Sequence, residues 1–458
     1  MSRPKQTASP VLRSEAELRR IGATVLRLAK HRSVPETEVH IDESIQSLTR
    51  FANNTIHQNV AEQNLVVSIR TAADGRTARV TTNRVDEDSL RAAIDNCLAL
   101  ASHQPKDPQL LPIPGRQKYR AVRRFTPGTA SLTPDDRARA VKGACQFAEK
   151  RGQVAAGIFS SGQNQTVLLN SRGLVASYRH TNATFSVTMQ QGSAASWAKA
   201  NSGDVRQFQP LQLARTASEK AARAENPAEL SPGHYTVILE PAAVLDLVGF
   251  LFYDFAGTAV ADKRSCFAGR VGKPLFGKNI TITDDAYHSH QLGCPFDGEG
   301  MPRQRVVLVD RGTVRNLVYS RRSAKLAHAK PTGHGFPLPN EYGEAPMNLV
   351  VEGGETSIEE MVASTDRGLL VTRLWYIREV DPYEKIMTGM TRDGLFLVEK
   401  GKISGAAKNF RFNQSVLEML RNVESLGPTH RATGEEAFEM VVPPMKIRDF
   451  HFSEVTKF

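Results

Sequence analysis

Two histidines, His288 and His290, stand one residue apart, close behind the acids Asp284 and Asp285. On a strand, residues i and i+2 point to one face, so the two imidazoles could share a metal ion with a neighbouring carboxylate. On a loop they are simply exposed histidines. Further on, Asp297-Gly298-Glu299-Gly300 puts two carboxylates on a glycine turn. Such a pair suits a hard cation once a third oxygen ligand joins it; with no third carboxylate at a fixed spacing it reads as a structural turn. His334 sits in Thr332-Gly333-His334-Gly335, a glycine-flanked segment of the kind whose backbone can approach a ligand closely.

The common catalytic patterns are missing. No histidine is followed by glutamate, so there is no HExxH, and neither a G-x-S-x-G elbow nor a G-x-G-x-x-G loop occurs. Gly272 to Lys278 has the glycine and lysine spacing of a phosphate-binding loop, but Asn279 stands where Ser or Thr would bind magnesium, which makes it a chance match. The four cysteines (Cys97, Cys145, Cys266, Cys294) form no C-x-x-C pair, which excludes a zinc ribbon and a disulfide scaffold. Arg116, Lys118, Arg120, Arg123 and Arg124 interleave with Tyr119 and Phe125. Cations hold phosphates and rings stack bases, so this could be a nucleic-acid strip. The favoured reading of the same residues is an exposed linker or edge strand.

The elements that must carry these residues follow from patterning. With 458 residues and 40% hydrophobic content the chain can build two or three domains with real cores, and its +11 charge is mild for that length. The polar first ten residues are expected to fray. A helix is predicted through Leu18, Ile21, Val25 and Leu28, and a hairpin through Leu65–Ile69 and Thr77–Thr82 around the Asp74-Gly75 turn. Acids at Asp86–Asp88 start a second helix, and Thr133-Pro134-Asp135-Asp136 starts a third. Between those two, residues 104–128 form a proline-rich connecting loop. Strands within 154–200 turn at Asn170–Gly173, and a helix covers 211–224. Asn226–Gly233 is the expected domain boundary.

Beyond it, Tyr235–Leu239 is a strand and Pro241 opens an apolar helix to Ala256, closed by Gly257. Short strands then run to Lys402, with helices at 320–328, 357–366 and 414–426. The predicted class is α+β: an N-terminal α+β domain over 1–230, then a β-dominated, antiparallel, barrel-like domain over 231–458. The most apolar stretch, 242–260, contains Asp246 and Asp254, each costing roughly 2.5–3.5 kcal/mol at a membrane centre. With no apolar leader in Met1–Lys30 either, a cytoplasmic protein with no membrane partner is expected.

An ordered set of segments then carries a resemblance. In the first half these are Phe51-Ala52-Asn53-Asn54, Ile56-His57-Gln58 and Asp74-Gly75-Arg76. In the second half they are Gly269–Lys273, Ile280–Asp285, Pro295-Phe296-Asp297-Gly298-Glu299-Gly300, Pro331–His334, Gly389–Lys402 and Pro443–Ile447. Over nearly its whole length the chain resembles the TldD/PmbA family, the metallopeptidase-related proteins once called modulators of DNA gyrase. The resemblance implies a pair of subunits. TldD-like members carry HExxxH on the first helix of the C-terminal domain, where two His bind zinc and the Glu activates water, and a cysteine near the C-terminus completes the site. PmbA members, also called TldE, lack these residues and complete the pair.

Here the corresponding helix reads Val248-Gly249-Phe250-Leu251-Phe252-Tyr253-Asp254, and no cysteine follows Cys294. The resemblance therefore implies a TldE/PmbA-like subunit of a zinc metallopeptidase complex acting on short or unfolded peptides. Such a chain has no catalytic residue, metal or other cofactor of its own, and zinc sits in a TldD-like partner. The expected assembly is a heterodimer with that partner or a homodimer, a choice the sequence leaves open. The matched positions expected to contact substrate are His334, Asp297 and Glu299. The competing expectations are a stand-alone metal-dependent peptidase with a relocated site at His288 and His290, and a nucleic-acid-associated protein using Arg116–Arg124; nucleic acid is not the expected partner. Whether Gly249 and Tyr253 line a vestigial pocket or fill it is left open by the sequence.

Overall fold

The computed structural model describes residues 11–456; the ten residues expected to fray lie outside them. The first half is a single antiparallel meander of β1 (Glu36–Ala52), β2 (Thr55–Ala73), β3 (Arg76–Thr82), β4 (Val154–Asn170), β5 (Val175–Gln191) and β6 (Ala194–Ser202), in the order β3-β2-β1-β4-β5-β6. The hairpin turns are where sequence places them. Asp74 and Gly75 both adopt positive φ (51° and 76°), as the tight two-residue turn between β2 and β3 requires, and Gly173 does so between β4 and β5. The strands are longer than their apolar runs. β1 gives no clean alternation because Glu38 and Glu43 occupy buried positions. Each is matched by a cation, Glu38 by Arg79 at 2.5 Å and Glu43 by Arg13 at 2.5 Å.

Four helices cover one face of this sheet: α1 (Glu15–His31), α2 (Glu87–His103), α3 (Pro134–Glu149) and α4 (Pro210–Arg223). Their starts obey local chemistry. Ser14 with Glu17, and Thr133 with Asp136, form reciprocal capping boxes, and Asp86 accepts from the Ser89 amide. α1 and α2 bury Leu18, Val25 and Ile94 against Val39, Ile41, Val67 and Val167 at one end of the sheet. α3 and α4 bury Val141, Ala144 and Ala217 against Phe159, Phe185 and Val187 at the other. On the opposite face, Leu168, Ala176 and Tyr178 pack with Phe296 of the second half.

The second half holds two sheets. One has the order β10-β9-β8-β11-β18-β17, with β8 (Ile282–Asp284), β9 (Val306–Asp310), β10 (Thr313–Val314), β11 (Leu349–Val351), β17 (His430–Ala432) and β18 (Met440–Val442). The other joins β7 (Gly233–Leu239), β12 (Arg367–Asp381), β13 (Ile386–Glu399), β14 (Lys402–Ala406), β15 (Phe410–Ser415), β16 (Val423–Leu426) and β19 (Met445–Val455). Pairing runs β12-β7-β19-β15-β13, and β13 pairs back to β12, so these five strands close a ring. The α+β class and the antiparallel, partly barrel-like second half are thus observed. The parallel pairs are β7–β12 and β11–β18.

Two helix expectations are corrected. The helix expected over 241–256 ends as α5 (Pro241–Val248). Single 3-10 turns follow at Gly249–Leu251 and Tyr253–Phe255, and a new short helix runs from Gly257 to Ala261. Gly257 opens this helix rather than closing the first, and a Cβ there would strike the Tyr319 ring. The segment 414–426 is not one helix either. β15 runs to Ser415, a helix covers Val416–Arg421, and β16 begins at Val423. Among the described residues no helix is long and apolar enough to cross a membrane.

Candidate functional site

The structure brings the three substrate-contact candidates into one buried knot, with Asp297, Glu299 and His334 exposed by 3%, 5% and 1%. Asp297 Oδ1 accepts from the amides of Glu299 (2.9 Å) and Met301 (2.8 Å), and its Oδ2 accepts from the Gly335 amide (2.8 Å). Glu299 Oε1 accepts from the Arg321 amide at 2.9 Å. Burial, with the Asp297 charge beside it, pushes the Glu299 carboxyl up to about 7. Gly335 must be glycine because a Cβ would meet the Glu299 carboxylate. His334 Nδ1 bonds the Thr332 hydroxyl (2.9 Å). Its Nε2 lies 2.9 Å from Asp284 Oδ1, close enough for an ion pair but off the line a hydrogen bond needs.

This knot meets the first half directly. A Cβ on Gly300 would come within 2.8 Å of Leu174 and 2.9 Å of Leu168, the Gly300 carbonyl accepts from the Tyr119 hydroxyl (2.8 Å), and Arg79 reaches the Leu338 carbonyl (2.6 Å).

His288 and His290 lie on a loop, not a strand, with ring centres 5.5 Å apart. His288 Nδ1 accepts the His290 amide (3.3 Å). Among the described residues no group of three His, Cys, Asp or Glu is arranged to hold a metal ion. The basic strip 116–124 is an irregular strap laid across the second half. Tyr119 packs on Phe296 (5.5 Å between centres), Arg120 covers the Tyr287 ring (4.6 Å), and Arg124 donates to the carbonyls of His288 (2.8 Å) and Tyr287 (3.3 Å).

Around 249–254, Gly249 and Tyr253 line a cavity of about 460 Å³ rather than filling it. Its walls include Phe250, Phe252 and Phe438, and Phe252 meets Phe438 edge-on (5.4 Å). The charged groups at its rim are engaged. Lys385 Nζ pairs with Asp254 (2.6 Å) and Glu379 (2.7 Å), Glu435 pairs with Lys199 (3.1 Å), and Glu436 accepts from the Tyr376 amide (2.6 Å). Behind the wall, Asp246 is fully buried. Burial, reinforced by the Glu436 charge, pushes its carboxyl up to about 7, and its Oδ2 has no partner.

A second cavity, about 660 Å³, opens between the two halves. One wall is β6 and α4; the other is the 289–292 loop and β17, with Arg123 and Arg124 at the rim. Its key residues, Asn201 and Arg431, bond across the domain seam at 2.7 Å. Of this group Arg123, Arg124 and His290 carry a sequence signal. Arg431 carries none, because tertiary folding alone brings β17 to β6.

Two family models match the chain: PmbA/TldA metallopeptidase domain 1 over residues 38–101, and PmbA/TldA metallopeptidase C-terminal domain over residues 232–454. A protein named metalloprotease from Methanothermobacter thermautotrophicus is 23% identical over 291 residues, 59% of this chain and 61% of its own length. Metalloprotease PmbA of Escherichia coli O157:H7 is 25% identical over 336 residues, 69% of this chain and 71% of its own. In fold, the crystal structure of TldE from Thermococcus kodakarensis superposes with a TM-score of 0.87 at 20% identity, covering 94% of this chain and 100% of that one.

Proposed function

The chain belongs to the PmbA/TldD family, with a metallopeptidase-related role, and we propose that it is the TldE/PmbA-like subunit of a zinc metallopeptidase complex, itself without the zinc site. The observation that carries this reading is the cavity at 249–254. The residues there do not fit a zinc ion. Zinc needs three protein donors turned to one point. The segment offers Gly249, Phe250, Phe252 and Tyr253; the cavity's other acids, Glu379, Glu435 and Glu436, are engaged by Lys385, Lys199 and the Tyr376 amide, and among the described residues no three His, Cys, Asp or Glu are arranged to hold a metal ion. The one acid on the segment, Asp254, is already tied to Lys385 and to the Cys266 amide (2.8 Å). Glycine and phenylalanine offer zinc no side-chain donor and water no base, and the lone Tyr253 hydroxyl falls short of the three donors needed. In this reading the chain shapes or holds short or unfolded peptides while a TldD-like partner, also cytoplasmic, supplies the metal and the chemistry.

The test is reconstitution. Hydrolysis of an unfolded peptide is followed for this chain alone, for a TldD-like chain from the same source alone, and for the two mixed. Turnover that requires the mixture supports the subunit reading. Turnover by this chain alone, lost on chelation, overturns it and moves attention to His288 and His290.

A further inference from the structure

The two cavities differ in how their charges are matched, and the interdomain cleft carries a surplus. Two carboxylates line it, and each already has a cation: Asp204 pairs with Arg206 (2.7 Å) and Glu240 with Lys220 (2.6 Å). Lys199 is matched by Glu435. That leaves Arg123, Arg124 and Arg431, none of which has a carboxylate within ion-pair distance among the described residues. Arg431 bonds neutral acceptors only: Asn201 Oδ1 (2.7 Å), Gln291 Oε1 (3.2 Å) and the His290 carbonyl (3.3 Å). Arg124 likewise bonds carbonyls, and its buried Nε has no partner.

Cations held this way are unfavourable, since desolvation is only partly offset: Glu439 acts on Arg431 from beyond ion-pair distance, and Arg124 opposes it. The local titrations agree in direction. Burial lowers the Arg431 guanidinium. Burial and then Arg431 push His180 down to about 4, and burial and then His290 lower His430.

A guanidinium fork is the group best suited to grip a planar carboxylate. The wall beside it is suited to what such a carboxylate would end. β6 is the edge strand of its sheet, hydrogen-bonded to β5 on one side; β13 and β17 of the second half approach it without pairing, and Trp197 to Ser202 line the cleft continuously. Extended peptides add to such edges. The volume falls within the roughly 300–1,000 Å³ of ordinary ligand sites.

We propose that the interdomain cleft is a peptide-terminus site: a short peptide lies extended beside β6 with its C-terminal carboxylate between Arg431 and Arg124. This deepens the proposed peptide-handling role and rests on it for the ligand class.

Trp197 lines the cleft, so its fluorescence reports occupancy. The full chain is titrated with tetra-alanine bearing a free carboxylate, with the same peptide amidated, and with inorganic phosphate. The free acid should bind at least about tenfold tighter than the amide, because the amide leaves the guanidinium unpaired. Arg431→Gln should remove that preference and Arg431→Lys should restore part of it. If Arg431→Gln lowers the melting temperature, Arg123→Gln replaces it. That side chain is exposed and makes no ion pair, and its loss should weaken the acid alone by about two- to fivefold. Equal binding of acid and amide overturns the proposal, and if phosphate then binds through Arg431 the site is one for inorganic oxyanions. Failure here with hydrolysis intact in the two-chain mixture leaves the subunit reading standing. Acid preference together with hydrolysis by this chain alone leaves the cleft standing and removes the subunit reading.

Discussion

The cavity at 249–254 and the interdomain cleft are close in size and opposite in design. The first is walled by Phe250, Phe252, Tyr253 and Phe438, and each rim carboxylate has a partner: Asp254 and Glu379 share Lys385, Glu435 pairs with Lys199, and Glu436 accepts from the Tyr376 amide. The second has a mixed polar and apolar lining, spans the two halves and keeps three arginines without a carboxylate at ion-pair distance. A region whose charges are matched internally asks nothing of a ligand, whereas an unmatched one is completed by an ion from outside. On this difference rests the proposal that the cleft, rather than the cavity at 249–254, takes a ligand.

The sharpest way to break this contrast is to unmatch the matched cavity. Lys385→Met leaves Asp254 and Glu379 without their cation, and should destabilise the chain by about 3–5 kcal/mol in denaturant titration. A change under 1 kcal/mol would mean the pair is not structural.

Asp246→Asn sharpens it by pH. Burial raises the folded acid to about 7, above its ordinary value near 4. Below pH 4 both states hold the proton and the substitution changes little. From pH 4 to 7 the unfolded chain releases the proton while the folded one keeps it, so wild-type stability falls as pH rises. The asparagine chain does not titrate, and should be the more stable by on the order of 1–3 kcal/mol above pH 7. A pH-independent difference would contradict this.

Gly249→Ala should follow packing rather than propensity. Helix propensity favours Ala, but the added Cβ would sit 2.5 Å from the Ala437 Cβ, so a loss of about 1–3 kcal/mol is expected. A gain would show that the wall yields. Smallest of all, Arg123→Gln in the cleft should shift stability by less than about 0.5 kcal/mol.

Local chemistry made much of the fold legible. Ser14, Asp86 and Thr133 start their helices as their side chains dictate, and Asp74-Gly75 turns its hairpin. β1 was not legible, because Glu38 and Glu43 break its alternation and their partners Arg79 and Arg13 lie far away in sequence. The apolar run 241–256 hid its break: Gly249 and Gly257 stand where the helix changes, and the neighbours that crowd them, Ala437 and Tyr319, lie far off in sequence. At the candidate site, spacing singled out Asp297, Glu299 and His334. It could not show that backbone amides, the Thr332 hydroxyl and Asp284 occupy them in the buried seam. The cleft was invisible because Asn201 and Arg431 meet only after folding.

The central claim, that the residues around the 249–254 cavity hold no zinc, is tested most directly by metal content. The purified full chain is dialysed against zinc and then against metal-free buffer, and bound zinc is counted per chain. No stoichiometric zinc is the expected result. One tightly held zinc per chain, lost together with peptide hydrolysis on chelation, would contradict it.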